Sequence, residues 1–245
     1  MEWWRKYFND DYLKLYKHDE SESMREADAI VRMLQLEPGR MVLDLACGFG
    51  RHSVLLAQKG FRVTGYDLSE SFLQRAREMA DSLKTQLDLK QGDMREVPYE
   101  AEFDAVINMF TAFGFFESDD EDLRVLKGVH KALKPGGQFL MDVINRDNAL
   151  QISVPRRWMR ENQAYMLEER FFDFFTSRLE ITNRLILASG EMKEASYSVR
   201  LYTLTEMLGL FNSAGLVLTD VYGDFGGAVY NATSPRMILI AQKEQ

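Results

Sequence analysis

At 245 residues the chain has room for one large domain, or one domain with a small insertion, and its core needs no disulfide support. A formal net charge of −8 works against a nucleic-acid partner, which takes a basic footprint, and the short basic pairs Arg5-Lys6 and Arg156-Arg157 form no stripe. One cysteine, Cys47, cannot form an internal bridge, and the N-terminal residues hold no signal-peptide or membrane-spanning apolar run, so a reducing cytoplasm is the expected setting.

Dense aromatics open the chain: Trp3, Trp4, Tyr7, Phe8, Tyr12 and Tyr16, with Tyr12 and Tyr16 on one helical face. They form either a lid or a helix packed on the core. Residues 20–36 carry Met24, Ala27, Ile30, Val31 and Leu34 at helical spacing, and Pro38-Gly39 stops that helix. MVLDLA (41–46) is a nearly continuous apolar run, as a strand covered on both faces requires. A helix over 51–60, a strand over 61–67 and a helix over 70–83 capped by Ser69 follow. Strands over 87–93 and 103–110, a helix over 119–133 and a strand over 138–144 complete the alternation. Strands separated by helices imply parallel pairing in a doubly wound α/β sheet, with ligands beyond the carboxyl ends of the strands.

After Asn145 the pattern changes. Residues 163–201 alternate polar and apolar, which predicts two or three antiparallel strands with a turn at Ala188–Glu191. Thr203 and Glu206 have capping-box spacing ahead of a last helix ended by Gly215. LVLTDVYG (216–223) and RMILIAQK (236–243) read as a closing strand pair at the sheet edge.

The sharpest motif is Asp44-Leu45-Ala46-Cys47-Gly48-Phe49-Gly50, between a buried strand and a helix. Gly48 and Gly50 permit a tight turn and close approach of a ligand to the backbone. Free amides at the start of the helix suit a ligand carboxylate, and Asp44 suits an ammonium. Asp67 ends the second strand, 17 residues beyond Gly50, where a carboxylate can accept from both ribose hydroxyls. Gly92-Asp93-Met94 follows the third strand; Asp93 can accept from an adenine amino group and the Met94 amide can donate to a ring nitrogen. Leu68 and Met94 can flank the base.

In order and placement these motifs resemble the core of class I S-adenosylmethionine (SAM)-dependent methyltransferases. VLDLACGFGRHS resembles that family's first motif, GYDLS its ribose-binding segment, GDM its adenine-binding segment and LKPGGQFLMD its turn and fifth strand. The resemblance implies a Rossmann-like, mostly parallel seven-stranded sheet with a C-terminal antiparallel hairpin, and SAM as methyl donor. The inserted strands resemble those of small-molecule N- and O-methyltransferases. The implied organisation is an N-terminal helical lid (1–36), a SAM-binding core (37–150), an antiparallel insertion over the active site (151–202) and the end of the core (203–245). A small-molecule acceptor, no membrane, no metal and a monomer or homodimer are the expectations that follow.

Methyl transfer from a sulfonium is an in-line displacement that chiefly needs positioning and exclusion of water, and no fixed catalytic motif is expected. Asn108, in the segment 108–116 after the fourth strand, can orient an acceptor or contact the cofactor. That segment is not of the Asn-Pro-Pro-Tyr type, which argues against nucleic-acid exocyclic amines or glutamine. His52 is either a base or ligand contact, or an orienting first-turn residue; Tyr12 is a further candidate. Tyr16, Phe113, Arg157, Arg200, Tyr202 and Tyr230 are candidates for the acceptor pocket, Arg200 and Tyr202 with the same facing on a predicted strand, each with an ordinary packing or ion-pair role as the alternative. Convergent arginines would mean an acceptor bearing a carboxylate or phosphate. Two other functions compete: an NAD(P)-dependent oxidoreductase, which the absent third glycine or alanine at Ser53 disfavours, and a SAM-binding regulator without turnover.

Overall fold

The computed structural model describes residues 19–161 and 164–244. The predicted aromatic lid, with Tyr12 and Tyr16, lies outside the described residues. Helix α1 (Glu20–Met33) leads into β1 (Met41–Leu45), α2 (Arg51–Gln58), β2 (Arg62–Asp67), α3 (Glu70–Ser82) and β3 (Asp88–Gln91). A short 3₁₀ turn (Met94–Glu96) precedes β4 (Phe103–Asn108), α4 (Asp119–Ala132) and β5 (Leu133–Ile144).

These strands form a seven-stranded sheet in the order β10-β11-β5-β4-β1-β2-β3, where β10 is Leu216–Tyr222 and β11 is Arg236–Lys243. The pairs among β1–β5 are parallel, and β11 runs antiparallel to both β5 and β10. Val42, Leu43, Asp44 and Leu45 are buried because helices cover both faces. Ile30, Leu56, Phe61, Ile107 and Leu140 pack one face, and Leu126, Val129, Phe139, Met207 and Phe211 pack the other. The predicted caps form: Ser69 accepts from the Phe72 amide, and Thr203 and Glu206 make a reciprocal capping box on α6 (Leu204–Ser213).

The second sheet holds four strands rather than two or three. Its order is β6 (Arg156–Glu161), β7 (Ala164–Asp173), β8 (Arg178–Ile186) and β9 (Met192–Arg200), all antiparallel. The first strand escapes a period-2 reading because RRWMRE has no alternation and Trp158 points outward, 68% exposed. A seven-residue helix, α5 (Arg146–Ile152), capped by Asn145, is also new; it is too short to show a period.

Gly50 has a structural reason to be glycine. It caps α2 with φ 78°, and a Cβ there would lie 2.8 Å from the Cβ of Ala76 on α3. The left-handed backbone costs roughly 1–2 kcal/mol for an L-residue, and overpacking costs about 1–3 kcal/mol. Gly50→Ala is expected to lower stability by about 2–5 kcal/mol, read as the midpoint of urea unfolding. An unshifted midpoint would show that α2 and α3 can part without cost.

Candidate active site

The strand order reverses between β1 and β4, and the loops beyond the carboxyl ends of β1, β2 and β4 open there. They border a cavity of about 900 Å³. One wall comes from the loops after β1, β2 and β3, including Asp44, Ala46, Cys47, Gly48, Asp67 and Leu68. Asp93 and Met94 continue it. The opposite wall is the inner face of the second sheet, with Leu179, Ile181, Tyr197 and Val199.

Asp67 stitches the first wall together. Its Oδ2 accepts from the Gly48 amide and its Oδ1 from the Ser69 amide, each at 2.8 Å. Ala46 and Gly48 take left-handed backbones (φ 61° and 56°), and the Ala46 amide donates to the Tyr66 carbonyl at 2.7 Å. Each Asp67 oxygen keeps acceptor capacity beyond its amide. Burial, the largest influence, pushes its carboxyl up; the Ser69 and Gly48 amides counter part of this, and Asp44 adds repulsion, leaving it at about 6.

Asp44 is buried and accepts from Ser53 Oγ at 2.5 Å, and burial raises its carboxyl. Burial also pushes the Cys47 thiol well up, with Asp44 and Asp67 adding to it, which disfavours a thiolate nucleophile. After β3, a Cβ on Gly92 would lie 1.9 Å from the Tyr66 hydroxyl, so only glycine lets that ring pass. Asp93 caps the 3₁₀ turn and is gripped by Arg95, whose Nη2 lies 2.5 Å from Oδ2. Arg95 also binds Glu121 at 2.6 Å and stacks over Phe116. Burial raises the Asp93 carboxyl, but the Arg95 bonds outweigh it and hold it below the usual range. Acceptor carboxylates beside an unobstructed glycine loop fit the hydroxyl and ammonium donors of SAM.

A buried cluster supports the loop from behind. Glu26 on α1 pairs with Arg51 and lies 2.8 Å from His52 Nε2. Burial pushes the Glu26 carboxyl up, but the His52 bond and the Arg51 charge overcome it and hold it at about 2. His52 is buried, borders the cavity and has its ring oriented by Glu26. Sequence reasoning missed Glu26, which lies 25 residues before Arg51 and shows no local signal.

The segment after β4 lines the cavity through Met109, Phe110, Thr111, Ala112, Phe115 and Phe116. Phe110 and Thr111 both have positive φ (58° and 59°), a left-handed pair that is a true outlier for a β-branched residue. Asp142 on β5 and Arg236 on β11 hold this turn through the Phe110 amide and Thr111 Oγ1.

Six predicted site residues sit away from the cavity lining. Gly50 packs against Ala76 instead of facing the cavity. Asn108 is buried, with its Nδ2 donating to the Leu45 carbonyl at 2.9 Å. Phe113 is core, 5.8 Å from the Tyr202 ring. Strand β9 ends at Arg200, so Arg200 and Tyr202 share no strand face. Arg200 binds Glu206 at 2.5 Å, and the Tyr202 hydroxyl donates to Asp119 and Asp122 at 2.8 and 2.7 Å. Both therefore tie the second sheet to α4 and α6. Tyr230 donates to Asn145 Oδ1 at 2.9 Å, behind the start of α5. Arg157, by contrast, borders the cavity.

An open α/β sheet with a glycine loop, a strand-end carboxylate and a reversed edge hairpin is the class I methyltransferase architecture. Residues 42–137 match the family described as a methyltransferase domain. YqeM of Bacillus subtilis, which bears a methyltransferase name, is 29% identical over 215 residues, 85% of this chain and 86% of that one. The cypemycin N-terminal methyltransferase of a Streptomyces species is 26% identical, with 84% of each chain covered. Among solved structures, the CcbJ methyltransferase from Streptomyces caelestis shares the fold with a TM-score of 0.84 at 20% identity, covering 98% of this chain and 99% of that one. The chain is a SAM-dependent methyltransferase whose motifs and fold resemble those of class I. Its cofactor is SAM, which sets aside the oxidoreductase alternative.

Proposed function

We propose that the methyl group goes to a nitrogen or oxygen atom of a small molecule held beneath β6–β9, with the cofactor along the ends of β1–β3. The observation that supports this is the unlike character of the two cavity walls: a glycine loop with carboxylates on one side, apolar strands on the other. A volume of about 900 Å³ is near the upper end for one ligand pocket and leaves room for two molecules. Asp67 takes the ribose hydroxyls, Asp44 faces the ammonium, and Asp93 with the Met94 amide addresses adenine between Leu68 and Met94. Ala46, Cys47 and Gly48 present backbone to the amino-acid end. When bound, the cofactor supplies a methyl carbon already activated by a positive sulfur. The apolar wall keeps water from that carbon, and His52, oriented by Glu26, serves as base where the acceptor must lose a proton. We retain the division into 1–36, 37–150, 151–202 and 203–245, with the third unit supplying the acceptor side.

The cypemycin relative, named for an N-terminal methylation, favours nitrogen as the acceptor atom. A screen for S-adenosylhomocysteine (SAH) release with small amines, phenols and hydroxy acids, alongside RNA and DNA, tests the reading. Turnover is expected with a small acceptor; turnover confined to nucleic acid would overturn it.

A further inference from the structure

The second sheet covers the cavity with one face and turns the other outward. Strand alternation puts Leu179, Ile181, Tyr197 and Val199 on the cavity side, so Trp158, Tyr165, Leu167, Phe171 and Met192 stand on the opposite face. All five are exposed, Phe171 and Met192 at 63% and 60%. A solvated sheet face is ordinarily polar, yet this one keeps large apolar groups in register. Trp158 lies opposite Leu167, and Tyr165 lies opposite Ile186, which pairs with Met192. Across the same face runs a ladder of ion pairs with one residue per strand: Arg156 on β6, Glu169 on β7, Arg184 on β8 and Glu194 on β9. Trp158, Tyr165, Leu167 and Met192 all lie on one side of that ladder, and Phe171 lies on the other.

We propose that this outer face is the interface of a homodimer, with a second copy of the chain as its occupant. Charge along the ladder alternates from β6 to β9, cation, anion, cation, anion. A two-fold axis lying in the interface at right angles to the ladder reverses that order in the opposing copy, so each cation meets an anion. The same operation keeps the apolar groups on their own side of the ladder. It brings Trp158 over Met192 of the second copy and Leu167 over Ile186 of the second copy. The area is sufficient. Strands β7, β8 and β9 are 10, 9 and 9 residues long. At about 3.4 Å per residue and about 4.8 Å between strands, the face measures roughly 30 by 19 Å, or about 1,100 Å² over two copies, which clears the roughly 1,000 Å² a specific interface needs. Each second sheet is then packed on both faces, as in a sandwich, and each cavity stays within its own copy.

Sedimentation equilibrium of the full chain tests the interface, and a dimer is expected at micromolar concentration. Leu167→Glu is expected to weaken association at least about 100-fold, since the two-fold axis sets the new carboxylate against an apolar group twice. Leu167 is exposed in the single chain, so the far-ultraviolet circular dichroism of this variant should match that of the parent. Val229→Glu, at an exposed site between β10 and β11, is expected to leave association unchanged. Cross-linking gives a second readout. Trp158 and Met192 sit on opposite edge strands of one sheet, so they meet only between copies. Trp158→Cys combined with Met192→Cys is expected to yield a disulfide-linked dimer on mild oxidation, and neither single variant should. A monomeric parent, a dimer indifferent to Leu167→Glu, or a double variant that fails to cross-link would overturn the proposal. So would a monomer that takes up lipid vesicles or a different protein on this face.

Discussion

Asp67→Ala is expected to weaken SAH binding by about 100-fold in isothermal titration calorimetry. Charge-assisted hydrogen bonds are worth roughly 1.5–3 kcal/mol each, and 1.4 kcal/mol is tenfold in affinity. The carboxylate also holds the Gly48 and Ser69 amides, so its loss releases the loop as well as the proposed ribose contact. Asp67→Asn separates these contributions: it keeps the shape but turns an amide donor toward a backbone N–H. A pH series gives a second check. The folded carboxyl lies at about 6, above its ordinary 3.8. Only the ionised group accepts from two hydroxyls, so SAH affinity should fall as pH drops below about 6. For folding the sign is opposite. The folded state holds this proton more readily, so the contribution favours folding at low pH and is lost as pH rises from about 4 to about 6. Undiminished affinity in Asp67→Ala, or a flat profile between pH 5 and 7, would remove Asp67 from the ribose contact.

Arg236→Ala is expected to cost about 3 kcal/mol of stability, near the lower end for breaking a buried ion pair because Arg236 is partly exposed. The left-handed turn at Phe110–Thr111 is held from several directions. The Phe110 amide donates to Asp142 Oδ2 at 2.9 Å, and the Thr111 amide donates to the Asp142 carbonyl at 2.9 Å. Thr111 Oγ1 accepts from the Ile144 amide and from Arg236 Nη2. Arg236 Nε donates to Asp142 Oδ1 at 2.6 Å. Without Arg236, the buried Asp142 carboxylate loses its ion-pair partner and the strained turn loses one clamp. SAH affinity should change less than fivefold, since the proposed ribose and loop contacts arise on β1 and β2. An unchanged urea midpoint would mean that the turn holds without this network.

The parallel sheet and its cofactor loops were readable because their signals are local. A run such as MVLDLA declares a strand buried on both faces, and glycines at 50 and 92 mark where a side chain will not fit. Asp67 was legible for the same reason: chain order alone puts it at the end of β2. Arg200 and Tyr202 misled because their apparent two-residue periodicity runs past the true end of β9. Asn108 and Phe113 sit in the right segment, but they flank the left-handed turn at Phe110–Thr111 and are buried, while Met109–Ala112 line the cavity.

The sequence by itself determined the fold class, through short-range periodicity, and the cofactor and class of reaction, through the resemblance of motifs within one strand–loop–helix unit to a known family. Only the tertiary structure decided which charges meet. Glu26 reaches His52, Arg236 reaches Asp142, and Arg157 and Arg170 converge on Glu168. The first two pairs join distant segments, and the third depends on the register of two strands and on which face turns inward. Strand period can say that two residues share a side, but packing alone chooses the side that becomes the wall of a cavity.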